Sequence, residues 1–385
     1  MHVLIVPSGY PMEGKPYRGV FYKEQAMALS RAGYQVTVAF PEIWSLKSFN
    51  KNVLKGSRSK EVEDGVLTYR YKGYNYFANA PYSTEMIYKK RLRAMYKDIV
   101  KEVGVPDVIH AHSCLWGGFG AAAISRDENI PLIITEHSSA FGRNMLKPYQ
   151  KKLAQKAFSQ ADRLLAVGPG LKRDMVSYTT QQVDIVPNFI DMSDARPKKN
   201  RESKEPFRLL AVANLNANKG LDLLIHAFHH AFPHGDTELR IGGMGEEKDK
   251  LQRLINELDL ESRVTLIGTL SREQVKKEMQ LADVFVSSSY YETFGVVLVE
   301  ALSVGTPIIA TDSGGPSMIV NELNGILVPT GEIHQLSQAL IYMSQHYKKY
   351  DPNLIHEDCK ERFGEEAVIS MLTNIYSKLV QAESR

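Results

Sequence analysis

Glu292 and Glu300, with seven residues between them, fall in a stretch from Ser287 to Gly305 that runs SSSYYETFGVVLVEALSVG. The later glutamate is set among Val296, Val297, Leu298, Val299, Ala301 and Leu302, in a helical pattern apolar on nearly every side. Such a helix belongs in a core, where a carboxylate enters low dielectric and needs hydrogen-bond partners. Glu292 lies in the polar loop before the helix, and Phe294, Gly295 and Val296 supply the free N–H groups of its first turn. A helix start of this kind accepts an anion. Amide donors suit a phosphate, whereas two carboxylates cannot bind phosphate and suit sugar hydroxyls, so the stretch describes a sugar-nucleotide pocket. The alternative is that Glu292 complements the helix dipole and Glu300 pairs with a buried Arg or Lys.

A cation for such a phosphate stands earlier, in Ala213-Asn214-Leu215-Asn216-Ala217-Asn218-Lys219-Gly220, just ahead of the helix-like LDLLIHAFHHAF. Lys219 can meet a diphosphate there as a point charge, with the helix N–H groups adding to the field; as a plain loop residue it would be a solvated charge. Gly242-Gly243-Met244-Gly245 and Leu266-Ile-Gly268-Thr-Leu270 end two further apolar runs, and the glycines there equally suit a tight turn. In the first half, His110, His112 and His137 fall at the ends of the runs Asp107–His112 and Ile133–Glu136, at spacings that do not describe a metal site.

These residues need a scaffold, and its pattern is visible. Apolar runs at His2–Pro7, Val36–Phe40, Val108–His112, Leu132–Glu136, Arg163–Val167 and Asp184–Val186 alternate with helical patterns such as Glu24–Ala32. A second series follows at Phe207–Val212, Glu238–Gly242, Val264–Gly268, Val284–Ser287, Pro307–Thr311 and Ile326–Val328. Strand-helix alternation predicts parallel sheets covered on both faces, and 385 residues suit two domains. Both are expected to be Rossmann-like, and open parallel sheets bind ligands at the carboxyl ends of their strands. The loop after the first run carries Gly9, Gly14 and Gly19, which do not match the dinucleotide spacing. The polar segment ARPKKNRESKEP is expected to link the domains, with the boundary near Ser193.

The stretch resembles the signature of the retaining GT-B glycosyltransferases of glycosyltransferase family four. The resemblance rests on Glu292-Thr-Phe-Gly295, Glu300-Ala301, Gly305-Thr306-Pro307 and Gly314-Gly315-Pro316, and extends through most of the chain. It implies an α/β GT-B fold with two Rossmann-like domains facing an interdomain cleft. The acceptor domain would be residues 1–192 and the donor domain 193–366, with a C-terminal helix over 367–385 packing back on the first domain through Val368, Met371, Leu372, Ile375 and Leu379. It further implies that Gly19 lets backbone approach the donor sugar and acceptor, and that His137 touches the donor sugar or its phosphate. The glycine loop at Gly243 would lie beside the nucleotide, and the backbone near Leu270 would read the base. Two departures stand out: Arg18-Gly19 replaces a glycine pair, and Asn214 replaces an arginine that serves the family as a second phosphate cation.

Composition narrows the partners. With 47 basic and 44 acidic residues the net charge is +3, too balanced for a nucleic-acid binder. Charge concentrates between Pro41 and Val103, where 13 Lys and Arg face 7 Asp and Glu. That segment includes Lys47, Lys51, Lys55, Arg58 and Lys60, and an aromatic run from Tyr69 to Tyr82 that suits either a packed hairpin face or an acceptor platform. From Met86 to Val103 an apolar helical stripe is flanked by Lys89, Lys90, Arg93, Lys97 and Lys101. It suits a solvated helix, or peripheral contact with an anionic membrane. Only Cys114 and Cys359 are present, which fits a reducing compartment, and the expected location is cytoplasmic, with any membrane contact peripheral at the inner face.

Neither metal nor cofactor is expected, because no Asp-x-Asp clamp occurs and Lys219 with the helix start at Phe294–Val296 can neutralise a departing diphosphate. The expected activity is retaining transfer of a sugar from a UDP- or GDP-sugar to a glycan, lipid-linked glycan or small acceptor. Epimerisation or hydrolysis of the donor, and non-catalytic binding of it, are the alternatives.

Overall fold

A computed structural model describes residues 1–15, 17–44, 56–77, 80, 82–198 and 206–383. The chain divides into two units, one of Met1–Val167, Leu171–Val186 and Ile369–Arg385, the other of Gly168–Gly170 and Pro187–Val368.

In chain order the first unit contains β1 (His2–Pro7), α1 (Val20–Arg31), β2 (Gln35–Trp44), β3 (Ser57–Glu63), β4 (Val66–Tyr74), α2 (Ser83–Glu102), β5 (Val108–His112), α3 (Phe119–Glu128), β6 (Leu132–Glu136), α4 (Pro148–Ser159), β7 (Arg163–Ala166), most of α5 (Pro169–Met175) and β8 (Val183–Ile185). Its sheet runs β3-β4-β2-β1-β5-β6-β7-β8, parallel throughout except for the β3–β4 hairpin. Every residue of β1, β5 and β6 is buried, as central strands covered on both faces require. Strand β2 runs past the expected Phe40 to Trp44 because β4 pairs with it along that whole length.

The first half of the aromatic run, Tyr69, Tyr71 and Tyr74, lies on a hairpin strand, whereas Tyr76, Phe77 and Tyr82 follow it and are exposed. Asp64 and Gly65 both have positive φ, 48° and 83°, as a two-residue hairpin turn demands. Charged, mostly exposed β3 closes the sheet edge. Tyr69 is buried and donates to Glu102, while Tyr71 sits under the guanidinium groups of Arg58 and Arg91, 5.0 and 5.2 Å from its centroid.

Helix α2 buries Tyr88, Leu92, Met95, Tyr96 and Ile99 along one stripe. Two cations of α2 have internal duties: Arg91 donates to the carbonyls of Glu42, Gly73 and Tyr74, and Arg93 pairs with Asp127. Lys47, Lys51 and Lys55 lie outside the described residues.

The second unit contains β9 (Arg208–Val212), α6 (Leu221–Ala231), β10 (Glu238–Gly242), α7 (Lys248–Glu257), β11 (Val264–Gly268), α8 (Arg272–Leu281), β12 (Val284–Ser287), α9 (Val296–Ser303), β13 (Ile308–Thr311), β14 (Gly325–Val328), α10 (Ile333–His346) and α11 (Pro352–Phe363). Its six-stranded sheet, β11-β10-β9-β12-β13-β14, is wholly parallel. Leu209, Ile241, Val286 and Ile309 of the strands pack with Phe228 and Leu336 of the helices; each such side chain stabilises the fold by roughly 1.5–3 kcal/mol. Pro316 opens a 3₁₀ turn, Pro316–Met318.

Helix α12 (Glu365–Glu383) ends the described chain. Its stripe is Val368, Ile369, Leu372, Tyr376 and Leu379; Met371, expected on it, is 43% exposed. From Ile369 onward it belongs to the first unit, where the Tyr376 hydroxyl meets His110 Nδ1 at 2.7 Å.

Candidate functional site

In the second unit the chemistry-bearing residues gather on the loops at the carboxyl edge of the sheet. After β9, the Asn216 side chain accepts from Asn218 N at 3.1 Å and starts a 3₁₀ turn, Ala217–Lys219. Gly220 follows with φ 57° and caps α6; a Cβ there would stand 2.4 Å from Ser288 O, so only glycine lets the two loops approach. They are laced together by Tyr290 N to Asn218 O (2.8 Å), Asn218 Nδ2 to Tyr291 O (2.9 Å) and Ser288 Oγ to Lys219 O (2.9 Å). This lacing brings the Lys219 ammonium onto Oε1 of Glu292, in an ion pair with each side chain about one-fifth exposed or less in round terms.

Glu292 is fixed from its other side as well. Its N–H donates to Ser313 O at 2.9 Å, and its carbonyl accepts from Gly315 N at 2.8 Å. Three residues on, Gly295 caps α9 with φ 107°, and no hydrogen-bond partner holds the N–H groups of Phe294, Gly295 or Val296 among the described residues. The α9 start thus presents donors beside the Lys219–Glu292 pair, which is the electrostatic arrangement an oxyanion needs.

Glu300 departs from expectation. It is half-buried, because Val296, Val297 and Glu300 form a partly open face of α9 while Leu298, Val299, Ala301 and Leu302 are buried. Helix α9 is only eight residues long and is therefore covered on one side more than the other.

The remaining loops pack closely. Ala213 N donates to Gly242 O, Leu215 N to Met244 O, and Gly243 N to Gly268 O, at 3.0, 2.9 and 2.7 Å. A Cβ at Gly243, where φ is 135°, would lie 1.8 Å from Ala213 O. The Leu270 side chain covers Gly242. Asn214 is exposed, between these loops and the Lys219 turn. Arg240, a candidate substitute cation, donates twice to Glu278 at 2.8 and 2.9 Å.

In the first unit, Gly19 caps α1 with φ 65°, and a Cβ would stand 2.4 Å from Gly9 O. The same edge holds an imidazole cluster. His112 Nδ1 meets His137 Nε2 at 3.2 Å, Tyr22 stacks on His112 at 4.8 Å and touches His137 edge-on at 4.8 Å, and Phe21 adds a further ring at 5.3 Å. His112 Nε2 and His137 Nδ1 are buried without a hydrogen-bond partner. Burial holds His110 and His137 down to about 3 and His112 well below its ordinary value, so all three are neutral imidazoles near pH 7. Glu136 braces the loop, accepting from His137 N, Ser138 N and Cys114 N at 2.8 Å each.

The family resemblance gives a role to His137 and none to His112, yet His112 holds the His137 ring. The signal was its place: His110 and His112 alternate on one face of β5, and the second ends the strand. Among the described residues no group of three His, Cys, Asp or Glu could hold a metal ion, and no helix is long and apolar enough to cross a membrane.

Comparison with known proteins covers almost the whole chain. Residues 192–354 match the family model described as glycosyl transferases group 1, and residues 19–194 match glycosyltransferase family 4. A Bacillus subtilis (strain 168) protein named for teichuronic acid biosynthesis as the glycosyltransferase TuaC is 26% identical over 364 residues, 88% of each chain. Among solved structures, sucrose-phosphate synthase from Thermosynechococcus elongatus superposes with a TM-score of 0.78 at 21% identity, over 99% of each chain. Anabaena HepE in complex with UDP and glucose does so with a TM-score of 0.72 at 17% identity, over 98% of this chain and 100% of that one. The two-sheet architecture is that of the GT-B glycosyltransferases.

Proposed function

We propose that this chain, which belongs to glycosyltransferase family four and is a glycosyltransferase of group 1 type, moves a sugar with retention from a nucleoside-diphosphate sugar to a glycan or lipid-linked acceptor in polysaccharide or glycoconjugate biosynthesis. The observation that carries the reading is the Lys219–Glu292 pair beside the uncapped start of α9, an ammonium, a carboxylate and amide donors on one sheet edge.

In this reading the donor sits on the second unit. Its diphosphate takes the Lys219 charge and the amides of Phe294, Gly295 and Val296, while Glu292 and Glu300 accept from sugar hydroxyls. The Gly243 loop and the backbone near Leu270 flank the nucleoside, and Asn214 offers a neutral hydrogen bond. Departure of the diphosphate then needs neutralised charge more than a proton, and that is what these groups supply without metal. The acceptor hydroxyl attacks on the face that the diphosphate leaves, through an oxocarbenium-like transition state: the new anomeric C–O bond forms as the bond to the diphosphate breaks, the departing phosphate oxygen takes the hydroxyl proton, and configuration is retained with no carboxylate assigned to the anomeric carbon. His137, neutral through burial, suits a sugar hydroxyl better than a phosphate, and Gly19 gives the first unit a close backbone approach. The UDP and glucose of HepE make UDP-glucose the first donor to try.

The basic segment supports an anionic acceptor or an anionic lipid surface. With Arg91 and Arg93 engaged internally, Lys89 and Lys90 carry that contact, and Arg93, Arg126 and Lys156 add to the positive field at Lys89.

The test is a panel of UDP- and GDP-sugars incubated with and without added acceptor glycans, with nucleoside diphosphate release and product anomer followed by NMR. Acceptor-dependent release with the donor's anomeric configuration kept supports the reading. Release without acceptor favours epimerisation or hydrolysis, and binding without release favours a sensor.

A further inference from the structure

We propose that Arg70 is a positioning residue: it clamps the glycine loop between β1 and α1 that carries Gly19. The inference rests on the reading above, in which that loop meets substrate.

Arg70 lies on β4, in the hairpin that stands outside the strand-helix alternation, and is only 8% exposed. Each of its three guanidinium nitrogens donates. Nε and Nη2 fork onto Glu63 at 2.6 and 2.8 Å, Nη1 reaches buried Glu42 at 3.2 Å, and Nη2 also donates to Pro11 O at 2.9 Å. The group lies over the rings of Tyr10 and Phe40, 5.3 and 5.7 Å from their centroids. Two adjacent loop residues, Tyr10 and Pro11, are therefore held by one side chain, one by its ring and the other by its carbonyl.

The same hairpin grips the far end of the loop. Lys23, in the first turns of α1, pairs with Asp64 at 2.6 Å and lies 3.9 Å from Glu63. Glu63 thus faces both Arg70 and Lys23, and the charges of the two cations are met by Glu42, Glu63 and Asp64. Between the two grips the described loop residues bond mostly within the loop: Met12 and Lys15 exchange backbone bonds at 2.9 and 3.4 Å, and Arg18 N donates to Lys15 O at 3.2 Å. Gly9 and Gly19 touch across it. Ser8 anchors the start of the loop on His112 O and Ser113 O; beyond Gly9 the buried side chain that holds it is Arg70.

Removing the guanidinium outright would leave Glu42 buried beside a lost partner, and such a chain could fail to fold. Arg70→Lys keeps the charge but replaces a planar fork with one ammonium, which cannot serve Glu42, Glu63 and Pro11 together. Glu63→Gln keeps the shape and weakens the fork from its other side. Both are measured beside wild type by amide hydrogen exchange over 8–19 and by steady-state kinetics with the UDP- or GDP-sugar that wild type turns over fastest. Expected for Arg70→Lys is a melting temperature near wild type, exchange in the loop about tenfold faster with β1 and β5 unchanged, a KM for the donor raised about tenfold, and kcat within about threefold. Glu63→Gln should move the same quantities in the same direction, by less. A merely structural role would lower the melting temperature and the active fraction while KM stayed put, and that result, or wild-type exchange in the loop, overturns the proposal. An active wild type with kinetically silent variants refutes the clamp alone; a wild type that turns over none of the sugar nucleotides refutes the functional reading and the clamp with it.

Discussion

The Lys219 ammonium rests on the Glu292 carboxylate, so the cation proposed for the donor's diphosphate and the carboxylate proposed for its sugar are each other's partners. Both are more than three-quarters covered, and their backbones are tied through Asn218, Ser288 and Tyr290. A diphosphate that takes Lys219 must compete with Glu292. Replacing Glu292 by Gln removes the competitor while keeping the shape. Since a partly exposed pair is worth up to about 1 kcal/mol, UDP should bind Glu292→Gln up to about fivefold tighter while turnover falls. Calorimetric titration with UDP decides it: unchanged or weaker binding means the pair does not gate Lys219.

Lys219 should carry most of the cationic stabilisation of the leaving group. Asn214 offers only a neutral bond, and Arg240 is committed to Glu278. Charge on the departing phosphate grows toward the transition state, so the loss belongs in turnover. Lys219→Ala should lower kcat at saturating donor about a hundredfold, on the order of 3 kcal/mol, and Asn214→Ala far less. Near-normal turnover in Lys219→Ala would assign the role to another cation, with Arg18 the next to test.

The imidazole cluster makes stability depend on pH. His110 and His137 are held down to about 3 when folded, against an ordinary value near 6.5, and His112 is also lowered. Between those values the unfolded chain binds more protons than the folded one. The contribution is therefore complete above about pH 6.5 and is lost as pH falls toward 3. His137→Gln should reduce the slope of unfolding free energy against pH in that window by up to about 1.4 kcal/mol per pH unit, the equivalent of one proton. Denaturant melts between pH 4 and 8 (a range chosen to span about the ordinary histidine value) measure it; an unaltered slope would mean that His137 titrates normally.

Turnover should survive excess chelator. The proposed stabilisation of the diphosphate rests on Lys219 and the α9 amides. Activity that chelator abolishes and magnesium or manganese restores would show that the donor brings its metal as a required partner.

Much of this was legible in the sequence, for physical reasons that also mark where legibility stopped. Central strands such as β1, β5 and β6 are bounded where their buried runs end, because both faces are covered. The β3 half of the β3–β4 hairpin was less visible: Ser57–Glu63 is charged and lies at an edge, so the aromatic residues of β4 were its one announcement. Helix α1 begins at Val20, ahead of the expected Glu24, since Gly19 can take the left-handed conformation that starts it. Glu300 was read as deeply buried because an apolar neighbourhood in sequence was equated with one in space, and a short helix leaves one face partly open. The pairings of Lys219 with Glu292, His112 with His137 and Arg70 with Pro11 join residues 73, 25 and 59 positions apart, which no local pattern encodes.

The hydroxyl of Tyr376 on His110 has a consequence for how the chain is made. His110 sits on a central strand of the first unit, and its partner is synthesised 266 residues later. A nascent first unit can form its sheet early, as N-terminal domains do, but it waits for the entire second unit to be translated before Ile369, Leu372 and Tyr376 can cover it. Until then it is a vacancy in an otherwise finished fold, and expressing residues 1–186 alone would make that vacancy permanent. A circular permutant that moves 369–385 ahead of Met1 would instead supply the missing helix at the outset.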